Sequence, residues 1–483
     1  MTKVKKFQIL LGLFLIPLFF INVKDSHDWG DDFAQYLIQA KNIIEKKPQT
    51  ENGLLFKTED PAYAIEAYPV GLPLLLAPIY YFAKLNILPY CIFFSFILFI
   101  TGIIIFEYFR KKTSLIFSFF ISLIFCYNIQ ILELKKQILS EIPFTSILML
   151  FFVWFESVSY QKRYAFIVTA ILLSFLISLR LAGIAVIIGF IIYSLNQIRI
   201  GKNQKENLIK LILTAVCTFL FFILLNKLLF PIGPGNLVSF YFTSFQTHAF
   251  SFLNNITLYY SVSKYIFPFF GGWIPSLWIV FALSGWLIKS IQSASLPEYV
   301  FPIYLLIILL YPYSDAGARF LVPILPLLIF YFGYFLKFVL TFIPTKTNYA
   351  LTAIYALMIL ACASPVRNTI MHQSEVEDGP QKKTSEEMFY FVKSLPSNSI
   401  FVFCRARAFN LYTDRPVVYA IKEQSTEETY KQFQSYKTVY IVAPKNNSKS
   451  SLQDKRLEDL ISTYQEHYEH IWENSAFDIY RQN

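Results

Sequence analysis

Eleven apolar stretches run through this chain, at Phe7–Val23, Pro89–Phe109, Ser114–Ile129, Ile142–Val158, Ala165–Leu179, Leu181–Leu195, Leu208–Phe230, Ile266–Leu287, Tyr299–Leu310, Phe320–Leu340 and Tyr349–Ala363. A helix needs about 20 apolar residues to cross roughly 30 Å of hydrocarbon, and lipid offers nothing to satisfy an open backbone. The sequence therefore predicts an α-helical polytopic membrane protein with about eleven transmembrane helices. Hydrophobic residues make up 55% of the chain and charged ones 15%, against about 45–50% and about 25% in soluble domains. Pro69–Leu85 is apolar too, but its prolines and length suit a membrane-surface or re-entrant helix. The basic start followed by Phe7–Val23 resembles a signal peptide, yet no small-residue cleavage site follows. It reads as an uncleaved first span.

Basic residues fix the register. With Lys3, Lys5 and Lys6 inside, the same side receives Arg110, Lys111, Lys112, Lys162, Arg163, Arg199, Lys202, Lys205, Lys210, Lys289 and Lys346. This is the positive-inside pattern, and it accounts for much of the net charge of +10 without nucleic acid. The opposite side receives a long first loop (24–68), a second loop (131–141), the turn at 180–181, the 231–264 loop and the turn at 313–319. It also receives the tail. That assignment places a multi-pass protein in the cell inner membrane, with its polar loops and tail periplasmic.

The chain divides into a transmembrane domain, 1–365, and an extracytoplasmic domain, 366–483. In the second, Ser399–Cys404, Val417–Ile421 and Thr438–Ala443 read as strands, flanked by helices over Ser385–Leu395 and Leu452–Glu469. A small α/β domain follows. The five cysteines have neither zinc-ligand nor redox-motif spacing.

Chemistry-bearing residues gather at the predicted outer ends. The first loop opens with Asp25, His27, Asp28, Asp31 and Asp32, then an amphipathic juxtamembrane helix with Phe33, Leu37, Ala40 and Ile44 on one face. Asp31 or Asp32 could simply cap that helix. His27 with these aspartates offers the imidazole and carboxylate groups of a divalent-metal site, but not at a stereotyped spacing, and no metal ligand is assigned. The second loop holds Lys135, Lys136, Ser140 and Glu141. Arg180 and Arg319 each stand at the edge of an apolar run, where a guanidinium either snorkels to headgroups or grips a phosphate.

These features resemble the glycosyltransferase C superfamily, in its polyprenyl-phosphate-sugar branch related to protein O-mannosyltransferases and lipid A aminoarabinose transferases. Asp32-Phe33-Ala34-Gln35-Tyr36 is similar to that family's acidic motif on a juxtamembrane helix, and Ala67-Tyr68-Pro69-Val70-Gly71-Leu72-Pro73 to its Pro-rich second segment. Ser140-Glu141-Ile142-Pro143 resembles the second-loop acidic motif, and Arg180 with Gly183 the membrane-border Arg motif. Arg319-Phe320-Leu321 followed by Pro323 and Pro326 resembles the late Arg-aromatic-Leu signature, and Arg405–Arg415 a motif of such tails. The resemblance implies a catalytic Asp32, with Asp31 the neighbouring candidate, and a second-loop acid at Glu141. It implies lipid-phosphate binding by Arg180, Arg319, Lys135 and Lys136, and a donor or acceptor pocket at Tyr36 and Tyr68. Some members carry a Lys where this chain has Tyr68, so Lys57 or Arg180 would have to supply that contact.

The implied activity is an inverting transfer of a sugar from a polyprenyl-phosphate donor to an acceptor hydroxyl on a protein, lipid or glycan, with Asp32 as base. A competing class is a polytopic transporter or flippase of lipid-linked glycans, which would carry polar residues deep within several spans. Alkaline phosphatase fused after Asn483 should be active and a fused fluorescent protein dark. The reverse pair would put the tail with the lysine clusters and break up the predicted site.

Overall fold

The computed structural model describes residues 2–55, 67–157, 164–201, 203–230, 251–266, 277–311, 314–342, 347–418, 425–436, 438–445, 452 and 455–483. Lys57, Lys162, Arg163, Lys202, Lys346 and most of the 231–264 loop lie outside these residues.

Each apolar stretch of the sequence, where it is described, contains a helix or part of one. In chain order the helices are α1 (Lys3–Leu15), α2 (Asp31–Glu45), α3 (Gly71–Ala83), α4 (Leu88–Phe109), α5 (Leu115–Cys126), α6 (Ile129–Lys136), α7 (Glu141–Ser157), α8 (Ala165–Leu179), α9 (Ile184–Ile200) and α10 (Gln204–Ile223). They continue with α11 (Ser251–Ile266), α12 (Leu277–Ser293), α13 (Leu296–Leu309), α14 (Leu325–Leu340) and α15 (Thr347–Met371). Among the described residues five helices are long and apolar enough to cross a membrane by themselves, or six if the bent pair α5 and α6 counts as one span. The expected count of eleven is therefore not established by length, because α8, α12 and α13 are shorter apolar helices. What surrounds the bundle is nonetheless apolar. Ile209, Ile212, Phe219 and Leu220 on α10 are more than half exposed, a continuous bare face that hydrocarbon, not water, accommodates. The chain is a multi-pass membrane protein.

Pro69–Leu85 forms the 13-residue α3, too short to span, as the sequence suggested. The second outer loop is more ordered than expected, since α6 occupies much of it. Of the expected turn at 313–319, residues 314–319 belong to a 3₁₀ run, Ser314–Ile324, and residue 313 lies outside the described set.

The last part of the chain folds around a five-stranded sheet of order β2-β1-β3-β5-β4, where β1 is Ile400–Val402, β2 Val417–Val418, β3 Val439–Pro444, β4 Tyr468–Glu473 and β5 Phe477–Gln482. β1 runs parallel to β2 and β3, and β5 antiparallel to β3 and β4. The helices here are α16 (Lys383–Ser394), α17 (Ala406–Thr413), α18 (Thr426–Gln434) and α19 (Lys455–Thr463). The expected helix over Leu452–Glu469 stops at Thr463, and Tyr468 onward is strand β4. Of the expected strand at Val417–Ile421, residues 419–421 lie outside the described set. One face of the sheet packs Val402, Val418 and Ile441 against Phe433, Leu457 and Leu460. The alternate residues Phe401, Phe403 and Val442 join the main core of the molecule, as the two-residue repeat of a strand dictates.

That second face is where the tail meets the segment between α1 and α3. Trp29, 2% exposed, stands edge-on to Phe403, Phe389 and Phe477 at 5.3, 5.9 and 6.3 Å between ring centroids. The loop also adds to the sheet edge: Leu55 N donates to Val417 O at 2.9 Å, and Val417 N to Gly53 O at 3.0 Å. Glu377 ties the junction by accepting from Lys24 at 2.6 Å and Lys136 at 2.9 Å. Loop and tail thus form one packed layer over one end of the bundle.

Replacing Trp29 by Ala should cost about 3–5 kcal/mol. The variant should melt earlier in detergent and release its tail under limited proteolysis. An unchanged melting temperature would mean that the aromatic cluster does not hold the layer.

Candidate active site

Asp32 sits in the first turn of α2, with Gly30 at the cap and Asp31 beside it. Free backbone N–H groups and the positive end of the helix dipole favour a carboxylate there. Helix capping alone does not describe Asp32, however. Its Oδ1 accepts from the Tyr68 hydroxyl at 2.7 Å and its Oδ2 from Arg319 at 2.8 Å. Burial works against its charge, but the Arg319 guanidinium and the Tyr68 hydroxyl outweigh it and hold the carboxyl below its usual range. Asp31 points elsewhere, accepting from the backbone N–H of Ala408 on α17 at 3.4 Å.

Tyr68 is pinned by its backbone. The fully buried Gln39 donates to Tyr68 O at 2.9 Å and accepts from Tyr68 N at 2.8 Å. Immediately after it, Gly71 lets α3 approach the last turn of α8: a Cβ there would lie 2.6 Å from the Ser178 carbonyl oxygen. This approach brings Tyr68 to the same end as Arg180, which terminates α8.

Glu141 opens α7 and is 2% exposed. Arg180 reaches its Oε1 at 2.6 Å and also donates to Ser140 Oγ at 3.0 Å. The Tyr36 hydroxyl donates to that same Oγ at 3.2 Å, and its ring lies 5.1 Å from that of Tyr68. Arg319 joins from the 3₁₀ run, where Gly317 turns the chain with φ of 59°, a conformation that costs a side-chain-bearing residue more. Its Nε lies 3.7 Å from Glu141 Oε1, beyond hydrogen-bonding distance. Both guanidinium groups approach the Phe320 ring, Arg180 at 5.1 Å and Arg319 at 5.4 Å.

The cluster therefore joins α2, the segment before α3, α7, the end of α8 and the 3₁₀ turn. Two of its buried atoms, Glu141 Oε2 and Arg319 Nε, have no hydrogen-bond partner among the described residues. Leaving such atoms unmet costs about 1–3 kcal/mol each, more where they are charged. They are groups to which a polar ligand could bind.

One participant escaped the sequence reading. Arg407, from α17, donates to the Tyr68 hydroxyl at 2.8 Å and lies 5.2 Å from the centre of its ring. The tail motif Arg405–Arg415 was the available signal, but nothing in it distinguishes Arg407 from Arg405.

Two expected members stand apart. Lys135 turns inward, donating to Leu18 O at 2.6 Å, to Ser95 Oγ at 3.0 Å and to Ile21 O. It closes the C-terminal end of the first apolar segment, where carbonyls lack helical partners. Lys136 pairs with Glu133 and Glu377, each at 2.9 Å. With Lys24, Glu377 and His372 it lines a polar cavity of about 360 Å³ whose acids and bases are largely matched already. His27 is already engaged by its neighbours. Its ring stacks on Phe33 at 3.8 Å, Nδ1 faces Asp28 and Nε2 accepts from Ile138 N at 3.4 Å. A second His-acid group, His470 with Glu473 and Asp478, lies on the β4–β5 hairpin, and Lys445 pairs with both acids there.

No family model and no curated protein sequence matches the chain. Solved structures do. ArnT from Cupriavidus metallidurans bound to undecaprenyl phosphate is 10% identical, with a TM-score of 0.59 over 98% of this chain and 97% of that one. The Archaeoglobus fulgidus oligosaccharyltransferase in complex with Zn and sulfate is 13% identical, with a TM-score of 0.57 over 90% of this chain and 67% of that one. The same oligosaccharyltransferase tethered to an acceptor peptide containing the NVT sequon gives a TM-score of 0.53 at 11% identity. The chain thus shares its fold with these two proteins. Arg180 occupies Glu141 Oε1 and Arg319 occupies Asp32 Oδ2, while Glu141 Oε2 stays open among the described residues.

Glu141→Ala would leave Arg180 unpaired at a largely buried site, at a cost of about 3–5 kcal/mol. Adding Arg180→Met to that variant should recover most of the loss in thermal unfolding. Strictly additive losses would show that the two residues do not act as a pair.

Proposed function

We propose that this protein is a membrane glycosyltransferase, moving a sugar from a polyprenyl-phosphate donor to an acceptor hydroxyl on the non-cytoplasmic face, with inversion at the anomeric carbon. The observation that carries the reading is Asp32, a carboxylate held ionised at the rim of the bundle, within one cluster with Arg319, Arg180 and Glu141. The fold adds weight, because a protein of the same architecture binds undecaprenyl phosphate.

The chemistry follows from these groups. The acceptor O–H gives its proton to Asp32 as the oxygen attacks the anomeric carbon from the face opposite the phosphate. The bond from that carbon to the phosphate oxygen breaks, and its electron pair leaves with the polyprenyl phosphate. Arg319 and Arg180 stabilise the charge that develops, so the leaving group needs no proton. A donor phosphate would compete with Asp32 for Arg319 and satisfy its orphaned Nε. Glu141 keeps Arg180 in place. Tyr36 and Tyr68 form the aromatic wall beside the reacting carbon, and the lipid chain lies between apolar helices.

The transporter reading finds less support. Several hydroxyls buried within the helices bond back to their own helix: Thr101 to Ile97 O, Ser122 to Ser118 O, Thr145 to Glu141 O and Thr218 to Thr214 O. Groups so occupied do not line a polar path across the bundle.

Purified protein should transfer label from a radiolabelled polyprenyl-phosphate sugar to an acceptor hydroxyl. Asp32→Asn should reduce turnover by about 10²–10⁴-fold, the usual contribution of a general base, while Asp31→Asn remains active. Wild-type rates from both Asp32→Asn and Asp32→Ala would remove Asp32 from the mechanism.

A further inference from the structure

We infer that the C-terminal domain completes the active site through Arg407, a positioning residue that orients Asp32 by way of the Tyr68 hydroxyl. The inference rests on the assignment of Asp32 as base and names a residue for it that lies 375 positions away in the chain (407 against 32).

A tyrosine hydroxyl has one proton and two lone pairs, so its orientation depends on its partners. At Tyr68 the choice is made. Arg407 has only N–H groups to offer, and it donates to the hydroxyl oxygen at 2.8 Å. The hydroxyl proton is thereby left for Asp32 Oδ1, 2.7 Å away. Donation from a cation also polarises the O–H, strengthening the second bond in the chain. Without Arg407, Tyr68 could equally turn its proton elsewhere and present a lone pair toward Asp32, which would repel the carboxylate.

The arrangement is built rather than incidental. Arg407 is 8% exposed, on a helix whose neighbours Ala406, Ala408 and Phe409 are fully buried. The same helix receives Asp31 at the N–H of Ala408. Lys41 on α2 pairs with Asp414, just beyond the helix end, at 2.5 Å. Two successive aspartates of α2 therefore engage α17, one directly and one through Tyr68. Gln39 clamps the Tyr68 backbone from the other side, so the hydroxyl has little freedom to follow if α17 withdraws.

Among the described residues, the charged and titratable groups around Asp32 are these. Arg319 approaches from the 3₁₀ turn, Tyr68 from the segment before α3 and Arg407 from α17; Asp31 and Tyr36 lie on α2 itself, and Glu141 with Arg180 stands behind Arg319. Burial raises the Asp32 pKa, whereas Arg319, the Tyr68 hydrogen bond and Arg407 lower it, the net direction being down. Removing Arg407 takes away one direct lowering influence and weakens a second. The carboxyl should then hold its proton to higher pH, and the acid limb of the rate profile should move upward.

The test compares Arg407→Gln, Arg407→Lys, Tyr68→Phe and the Arg407→Gln/Tyr68→Phe double variant in the full-length protein. Tyr68→Phe keeps the ring and deletes only the hydroxyl, so it remains informative if an Arg407 variant folds poorly. Expected are a roughly tenfold or greater fall in kcat for Arg407→Gln and for Tyr68→Phe, with little change in donor KM. The double variant should be no worse than either single one, Arg407→Lys should recover part of the rate, and the acid limb should shift up. Infrared titration of labelled aspartate, with Asp32→Asn as the blank, reads the Asp32 proton without relying on turnover. If that titration moves in Arg407→Gln while Asp32→Asn stays active, the positioning stands and the assignment of Asp32 as base falls. An unmoved titration and acid limb, with additive losses in the double variant, would overturn the inference and leave the base assignment intact.

Discussion

A carboxylate at the mouth of an apolar bundle has to be paired, and Glu141 shows how far that requirement reaches. Its partner Arg180 can arrive only because α8 ends there, and α8 is held at that height by the close approach of α3 at Gly71. Arg319 stands near enough to feel the same carboxylate, yet spends its hydrogen bond on Asp32. The two acids are thus linked through one guanidinium. A change at either is felt by the other, and five separate pieces of chain must keep their places for the charges to balance. The apolar helices supply most of the buried area, but it is this chain of charge at their ends that fixes where they stop.

The cluster also explains why the tail is part of the molecule's working end rather than an appendage. The first outer loop cannot bury Trp29 against itself; Phe389, Phe403 and Phe477 provide the surface. Covering that ring brings α17 over α2, and Arg407 arrives with it. Packing and electrostatics are therefore served by one docking event. The sheet edge extended by Leu54 and Leu55 makes the same joint with backbone hydrogen bonds.

Much of this was legible in the residues. Apolar run length located the helices, and Glu141, Arg180 and Arg319 stood out as charges at the edges of apolar runs, where charge is costly; only the family resemblance singled Asp32 out of its acidic neighbours. What escaped has physical reasons. Lys135 and Lys136 look equivalent as neighbours, but successive helical residues point about 100° apart, which sends one into the core and the other to Glu377. Strand β4, Tyr-Glu-His-Ile-Trp-Glu, is an edge strand with little of its surface buried, so it lacks the alternation that marks a strand. Arg407 depends on a contact across 339 positions with Tyr68, and no local pattern reports that distance.

The ends of the bundle carry one more consequence. Near the start of the chain, Gln8 donates to Glu107, which also binds Arg110 at the far end of α4. Lys112 pairs with Glu156 at the close of α7, so the basic residues and the start of α1 share one end. The tail instead docks at the other, against Lys24, His27 and Trp29. Asp32, Arg319 and Arg407, joined by hydrogen bonds through Tyr68 and Asp32, meet at the end of the bundle away from Arg110 and Lys112.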